Sequence, residues 1–340
     1  RADAVSAWNL LTHPPTEDDR APATSTSTTE HPRKRSEVVK RRSEARSEGS
    51  PTREARSGAP ERSRVGPAPP DPGPDGRRIA SSSSRADQIL VRLIPRDRIA
   101  AVTAISQKND PVTFFGLPTI PSLDDVEAIM SADPDLVVVN GFFDPRRVAR
   151  LRENGLRVRD LGPLDDLDGF VADILELGDL VGRPARARDL ARGFVDRMRQ
   201  VAADVPPNER PRAMYLAQFG GKLYGGANGT SYHDVLVHGG LVDAAAHLEG
   251  WPELDPETVL GIAPDYVVTS AGMGPVLCAH VGIRELRACT EPGRVVEVEA
   301  KHLGDPGLGM LDAAEAIRRA IHGAPRPPAR DDGTPATRLR

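Results

Sequence analysis

At 340 residues the chain has room for one or two domains, and 39% hydrophobic residues is a little low for a chain folded throughout. A net charge of −4 leaves no overall basic excess of the kind that nucleic-acid binding calls for. No run of about 18 apolar residues occurs, so no membrane-spanning helix is predicted.

Residues 1–76 are rich in Arg, Ser, Pro, Glu and Thr, with Trp8 their only aromatic residue. Such a stretch buries too little apolar surface to offset its ordering entropy, so it is predicted to be a disordered arm. Eleven Arg and Lys fall between Arg33 and Arg64. They could serve as a basic arm for an anionic surface, but a solvated linker is the simpler reading. The first thirty residues show no charged start followed by an apolar core, and no cysteine lies nearby. Neither a secretory signal nor a lipid-anchored cysteine is expected in the chain as given.

Folded sequence is expected from Arg77. A strand over 78–81 leads into the serine turn Ser81–Ser84, then a helix over 85–94 and a strand over 99–103. Residues 104–121 read as a loop. Ser122 is the predicted cap of the next helix, with Asp125 completing a capping-box-like pattern. A strand over 136–139, a helix opened by Pro145 and ended at Asn154-Gly155, and a strand over 156–161 follow. Strands alternating with helices predict parallel pairing in an α/β lobe.

A helix over 166–181 precedes the stretch PARARDLARGFVDRMRQVAA, residues 184–203. Leu190, Phe194, Met198 and Val201 fall at helical spacing, with Ala191 and Val195 beside them. Pro184 suits a first helical turn, and Pro206-Pro207 ends the helix. A rod of some 30 Å is predicted, long enough to cross between two lobes. Beyond it come a strand over 213–217, a loop over 218–230 and a helix capped by Ser231 and ended at Gly239-Gly240. A helix from Asp255-Pro256, a strand over 266–269, a short helix over 283–288, a strand over 295–298 and an amphipathic helix over 308–322 complete the folded part. Residues 324–340 read as a disordered tail.

The two flanks of the rod share one plan. Residues 126–139 read VEAIMSADPDLVVV and residues 256–269 read PETVLGIAPDYVVT. Glu127 and Glu257 stand at the same interval before Pro134-Asp135 and Pro264-Asp265, and each pair precedes a β-branched run. Both copies predict helix, Pro-Asp turn, buried strand, which points to internal duplication.

Enzyme motifs are missing. The sequence holds no GxxxxGKS/T, no GxGxxG between strand and helix, no HExxH and no GxSxG. His233, His238, His247, His280 and His302 lack zinc-ligand spacing, and the two cysteines form no CxxC. No catalytic residue and no protein-held metal are therefore assigned. Cys278 and Cys289 are assigned as a disulfide that closes a short loop, two buried free thiols being the alternative.

Aromatic residues make up 4% of the chain, so their placement counts. Phe114, Phe115, Phe142 and Phe143 fall at or just after predicted strand ends of the first lobe. Phe219, Tyr224, Tyr232 and Trp251 fall in loops or helix starts of the second. Ligands of open α/β sheets bind outside the carboxyl ends of strands. The candidate ligand contacts are Ser82, Phe114, Phe115, Phe142, Tyr224, Asn228, Tyr232, Trp251 and Met273. Singly, each aromatic is more readily read as core than as a ligand contact; together they favour a sizeable, partly apolar ligand.

At this point the sequence resembles the iron-siderophore/cobalamin type of periplasmic-binding domain. The resemblance runs in order from about Arg77 to Gly323: RIAS with its serines, VEAIMSADPDLVVV, LGDLVGRPARARDL, YGGANGTSYHDVLVHGGLVDAA, GWPELDPETVLGIAPDYVV, RVVEV and GLGMLDAAEAI. It implies an α/β fold of two Rossmann-like lobes with mainly parallel sheets, joined by one long rigid helix. The expected divisions are an arm at 1–76, lobes at 77–165 and 210–323, and a helical segment at 166–209. It also implies the substrate-binding component of an ABC importer, monomeric, extracytoplasmic and without a cofactor of its own. The cargo would be a metal chelate: a ferric siderophore, cobalamin or a haem-like molecule. Glu127 and Glu257 match the surface glutamates, one per lobe, that pair with permease arginines. The long arm is not a feature of that family. A two-lobed tetrapyrrole/metal chelatase-like enzyme and a ligand-sensing module are the alternatives.

Overall fold

The computed structural model describes residues 73–121, 125–140, 145–162, 166–303 and 307–323. Residues 1–72 of the predicted arm, the tail, Ser122, Phe142 and Phe143 lie outside the described residues; the last arm residues, 73–76, are described and join the folded part, with Asp75 paired to Arg183.

The first sheet comes from β1 (Ile79–Ser81), β2 (Ile99–Thr103), β3 (Thr119–Ile120), β4 (Leu136–Val139) and β5 (Arg157–Asp160). Its order is β3-β2-β1-β4-β5, and its pairings are parallel. β1, β2 and β4 are buried throughout, as apolar strands covered on both faces should be. The connecting helices are α1 (Ser84–Leu93), α2 (Ala104–Asn109), α3 (Val126–Ser131) and α4 (Pro145–Glu153). The stretch 104–121, expected to be loop, thus supplies a helix and a short strand. Its hydroxyl-rich start hid the helix: Thr103 is the N-cap and accepts from the Ser106 N–H. Asp125 is itself the cap of α3, accepting from Ala128 N at 2.9 Å.

The chain then doubles back through α5 (Leu167–Leu180) into α6 (Pro184–Gln200). Seventeen residues give α6 a length of about 25 Å. Its buried stripe is Ala187, Ala191, Phe194 and Met198, continued by Val201. Leu190 is only half-buried, so the stripe is rotated toward the alanines relative to the predicted one. Those small residues let α5 pack close, and Phe170 meets Phe194 edge-on at 5.2 Å. Just before α6, Val181 O accepts from Arg98 Nη1 next to β2 at 3.3 Å, and near its end Met198 O faces His238 Nδ1 of the second lobe at 3.1 Å.

The second sheet comes from β6 (Arg212–Phe219), β7 (Lys222–Gly226), β8 (Val242–Asp243), β9 (Glu253–Leu254), β10 (Tyr266–Ser270) and β11 (Val295–Val298). Its order is β11-β10-β6-β7-β9, with β8 also on β6. β11, β10, β6 and β8 pair in parallel, while β7 and β9 run antiparallel. Its helices are α7 (Ser231–His238), α8 (Pro256–Ile262), α9 (Gly274–Ala279), α10 (Arg287–Thr290), α11 (Ala300–Leu303) and α12 (Gly309–His322). Three expectations need correction. The predicted loop 218–230 contains β7, because Gly220 and Gly221 at positive φ make a two-residue hairpin turn. The α7 cap is Thr230, whose hydroxyl accepts from His233 N, rather than Ser231. The single helix expected over 283–288 is replaced by α9 and α10 on either side, whose residues Cys278 and Cys289 are disulfide-bonded with Cα atoms 5.3 Å apart.

The duplication has a mechanical basis. Asp133 and Ala263, at matching positions, both adopt left-handed backbone at φ near +48° and +47°. Pro134-Asp135 and Pro264-Asp265 follow. Asp135 accepts from Arg78 N at 2.8 Å and its own N–H reaches Arg78 O at 2.9 Å. Asp265 does the same to Arg212, at 3.2 and 2.8 Å. Each aspartate thus sets the register of its strand against the first strand of its sheet. Disrupting the one covalent crosslink should be felt too: replacing both cysteines by serine is expected to cost about 3 kcal/mol, the loop-entropy value for a short loop. Guanidinium unfolding of the two forms measures it, and equal midpoints would refute it.

Candidate functional site

In the first sheet the strand order turns from β2 to β4 on either side of β1, so the topological switch point lies at the C-terminal end of β1. The serine turn sits there. Ser83 caps α1 by accepting from Ala86 N at 3.3 Å, and Ser81 Oγ donates to Ser83 O at 2.9 Å. Ser82 N donates to Val138 O at 2.9 Å, but the Ser82 hydroxyl is buried without a hydrogen-bond partner. Predicted contact Ser82 is therefore at the right edge of the sheet, but behind its surface.

Beneath this turn α1 carries two buried ionisable side chains, Arg85 and Asp87. The Arg85 Nε lies 2.8 Å from Asp173 Oδ2 on α5, and Arg85 Nη2 donates to Gly162 O at 3.1 Å. The Nε–carboxylate approach is an ion pair off the hydrogen-bond axis. Burial pushes the Asp173 carboxyl up to about 6 despite the pull of Arg85. Asp87 Oδ2 accepts from Thr103 N at 2.9 Å, Thr103 Oγ1 at 2.7 Å and Ser106 Oγ at 2.7 Å. Its Oδ1 is buried without a partner. Complete burial raises its carboxyl to about 7, against the downward effect of the Thr103 and Ser106 hydrogen bonds. Neither residue was singled out from the sequence. The signal was there: Asp87 stands three residues before Leu90, on the edge of an apolar stripe.

In the second sheet the switch point is the C-terminal end of β6, which runs past its neighbour β10 into the β6–β7 hairpin. Phe219 and Tyr224 lie on this hairpin with ring centroids 5.9 Å apart, both half-buried. Tyr224, a predicted contact, thus lies half-buried on the hairpin beyond the end of β6. Behind the hairpin, Tyr215, Tyr232 and Trp251 form a cluster. Their centroids are 4.0 Å apart for Tyr215–Tyr232, 4.4 Å for Tyr232–Trp251 and 5.6 Å for Tyr215–Trp251. Tyr215 and Tyr232 are fully buried, and Trp251 is half-buried at the edge. Burial lifts the Tyr215 phenol to about 12 and the Tyr232 phenol well above its usual value. The two hydroxyls and that of Ser270 influence one another, yet neither phenol reaches hydrogen-bond geometry.

The other predicted contacts divide. Tyr232 is core, corrected because it supports Trp251 from beneath. Phe114 is also core, 2% exposed. Phe115 is exposed, but Arg96, which precedes β2, binds its carbonyl, so it belongs to the opposite end of the sheet from the candidate site. Asn228 spends its amide on Glu249, with Nδ2 donating to Oε1 at 2.9 Å. Met273 is half-buried at the start of α9, just beyond β10. A separate cavity of about 240 Å³ opens where α1 and α2 approach α11 and α12, lined by Gln88, Arg92, Asp110, Lys301, His302 and Asp312 among others. There Leu308 N donates to Gln88 Oε1 at 2.9 Å, joining the two halves.

Two sheets with matching switch points and a helical hairpin between them are a recognisable arrangement. Residues 79–277 match the family described as periplasmic binding protein. The chain belongs to that family. The Cobalamin-binding protein of Halobacterium salinarum is 26% identical over 259 residues, 72% of this chain and 69% of its own length. Among solved structures, a periplasmic heme binding protein from Pseudomonas aeruginosa covers 74% of this chain and 94% of its own at TM-score 0.63 and 22% identity. The periplasmic vitamin B12 binding protein of Vibrio cholerae covers 72% and 97% at TM-score 0.56 and 22% identity. These structural likenesses establish the two-lobed α/β fold of the periplasmic binding proteins for this chain.

Within that fold Glu127 and Glu257 are equivalent. Each is the second residue of its helix, each is exposed, and each directly follows an aspartate cap and one further residue. Asp255 accepts from Thr258 N at 2.7 Å, as Asp125 does from Ala128 N. Favourable placement in a helix first turn explains both glutamates locally.

Proposed function

We propose that this periplasmic binding protein is the substrate-binding component of an ABC importer and captures a metal chelate between its two lobes. The observation that carries the reading is the family match, which runs from the first strand of the first sheet into α9 of the second lobe. Support for a large, partly apolar cargo comes from the half-exposed aromatic set Phe219, Tyr224 and Trp251. The names of the cobalamin-, heme- and vitamin B12-binding relatives point the same way. An extracytoplasmic location suits the disulfide, which persists in oxidising compartments. Among the described residues no helix is long and apolar enough to cross a membrane. The role is capture and delivery, without turnover.

Trp251 provides the test. In a Trp8→Phe form of the full chain, tryptophan emission reports on the aromatic cluster alone. Titration with cobalamin, a ferric siderophore and haem is expected to give saturable quenching by one of them, with the chelate recovered unchanged. A chelate that gains or loses its metal on the protein would instead indicate a chelatase.

Glu127 and Glu257 are the proposed permease contacts, one on each sheet's rim. A charge-assisted contact contributes about 1.5–3 kcal/mol. Replacing both by alanine should therefore weaken permease binding at least tenfold and leave chelate affinity unchanged. Pull-down with permease in nanodiscs measures the first and the Trp251 titration the second. Unaltered permease binding would leave the helix-dipole role as sufficient.

A further inference from the structure

We infer that each lobe meets the permease through a glutamate and an exposed apolar side chain one helical turn later: Glu127 with Met130 on α3, and Glu257 with Leu260 on α8. The inference rests on the proposed docking of the two glutamates and names what covers them in the complex.

The repeat carries it. Residues 126–139 and 256–269 align without a gap. Four of their positions are exposed in both copies: Glu127 and Glu257, Met130 and Leu260, Ser131 and Gly261, Asp133 and Ala263. The last pair differs in chemistry and the third is small. Only the first two pairs hold a large side chain of one character in both lobes. Core packing explains the apolar pair Ile129 and Val259, each 0% exposed. It does not explain Met130 and Leu260, each 40% exposed. Helix propensity does not either, since Lys, Gln or Glu would serve as well there. One exposed apolar residue is ordinary on a protein surface. Two at matching places, each beside a matching charge, mark a surface that a partner covers. Val112, Phe115 and Val281 are more exposed but lie outside the repeated unit.

Helix residues three apart are neighbours on one face, with Cβ atoms about 5–6 Å apart. The aspartate caps Asp125 and Asp255 fix the two helix starts alike, so the same face carries the pair in both lobes. An exposed ion pair contributes little by itself, because water and salt screen it. Apolar cover that excludes water lowers the local dielectric and strengthens the contact. The partner surface that fits is a cationic side chain set among apolar ones, presented once to each lobe.

The experiment uses the full chain and the importer's transmembrane subunits in nanodiscs, with binding read in about 0.1 M and about 0.5 M NaCl. Met130→Gln combined with Leu260→Gln keeps helix propensity and removes apolar surface. It is expected to weaken permease binding about tenfold, the loss for two partly exposed apolar side chains left uncovered. That loss should persist in high salt. The loss in the Glu127→Ala, Glu257→Ala form should shrink there, because the wild-type ion pairs are already screened. An unchanged urea midpoint checks that the exposed substitutions leave the fold intact. Wild-type binding by the Gln form, with the Ala form still impaired, would overturn the inference and leave docking through the glutamates intact. Unimpaired binding by both forms, or no binding by the wild type, would overturn both.

Discussion

Replacing Arg85 by alanine is expected to destabilise the protein by about 3–5 kcal/mol, the cost of leaving one member of a buried ion pair alone. The Arg85 and Asp173 side chains retain only 6% and 10% of their exposure. They join α1, whose N-terminus forms the serine turn, to α5, the first arm of the helical hairpin between the sheets. Without Arg85, Asp173 loses its compensating charge and must stay protonated or open the seam to water. The same change removes the donor to Gly162 O beyond β5. Urea unfolding of the full chain measures the loss. Arg85→Met combined with Asp173→Leu should recover most of it, because a well-packed apolar pair avoids the desolvation of both charges. A loss below 1 kcal/mol in the single variant would show that water already reaches the pair.

Asp87 should make the fold less stable as pH rises from about 4 to about 7. Its carboxyl titrates near 3.8 in the unfolded chain and is raised to about 7 in the folded one by burial. Below both values the group is protonated in both states and contributes no pH dependence. Between them the unfolded chain releases the proton and the folded chain keeps it, so stability falls with rising pH. Above about 7 the full cost is present, on the order of 4 kcal/mol. Other carboxylates act in the opposite direction; Asp110, held below its usual range, is one. The measurement is therefore the difference between wild type and Asp87→Asn, by urea unfolding at intervals from pH 4 to pH 8. The wild-type disadvantage should grow across that window. Parallel curves would mean that the three hydrogen bonds to Oδ2 stabilise the anion as much as burial opposes it.

The alternation of helix and strand, the duplicated unit and the class of fold are all legible in the order of residues. These are local or periodic signals. A β-branched run such as Val137–Val139, a proline at a helix start and a Pro-Asp pair act through their own backbone and nearest neighbours, so they are visible in one dimension. The disulfide was legible because its cysteines lie 11 positions apart in a chain with no others. Glu127 and Glu257 could be paired because the duplication repeats their interval.

Which side of the sheet an aromatic residue occupies depends on the three-dimensional packing. Phe114 and Phe115 are adjacent in sequence, yet one is buried core and the other is exposed near Arg96. Tyr224 and Tyr232 both follow β6, yet one lies on the hairpin and the other behind it. The hairpin itself went unseen because a two-glycine turn between short strands lacks a helical or long β period. Arg85 and Asp87 read as ordinary charges on a helix until α5 and the β2–α2 corner cover them. Burial is a property of what packs on a residue from distant parts of the chain, so residue type and spacing alone do not fix it. The same packing sets the two carboxyls near 6 and near 7 and puts Tyr215 and Tyr232 behind the hairpin.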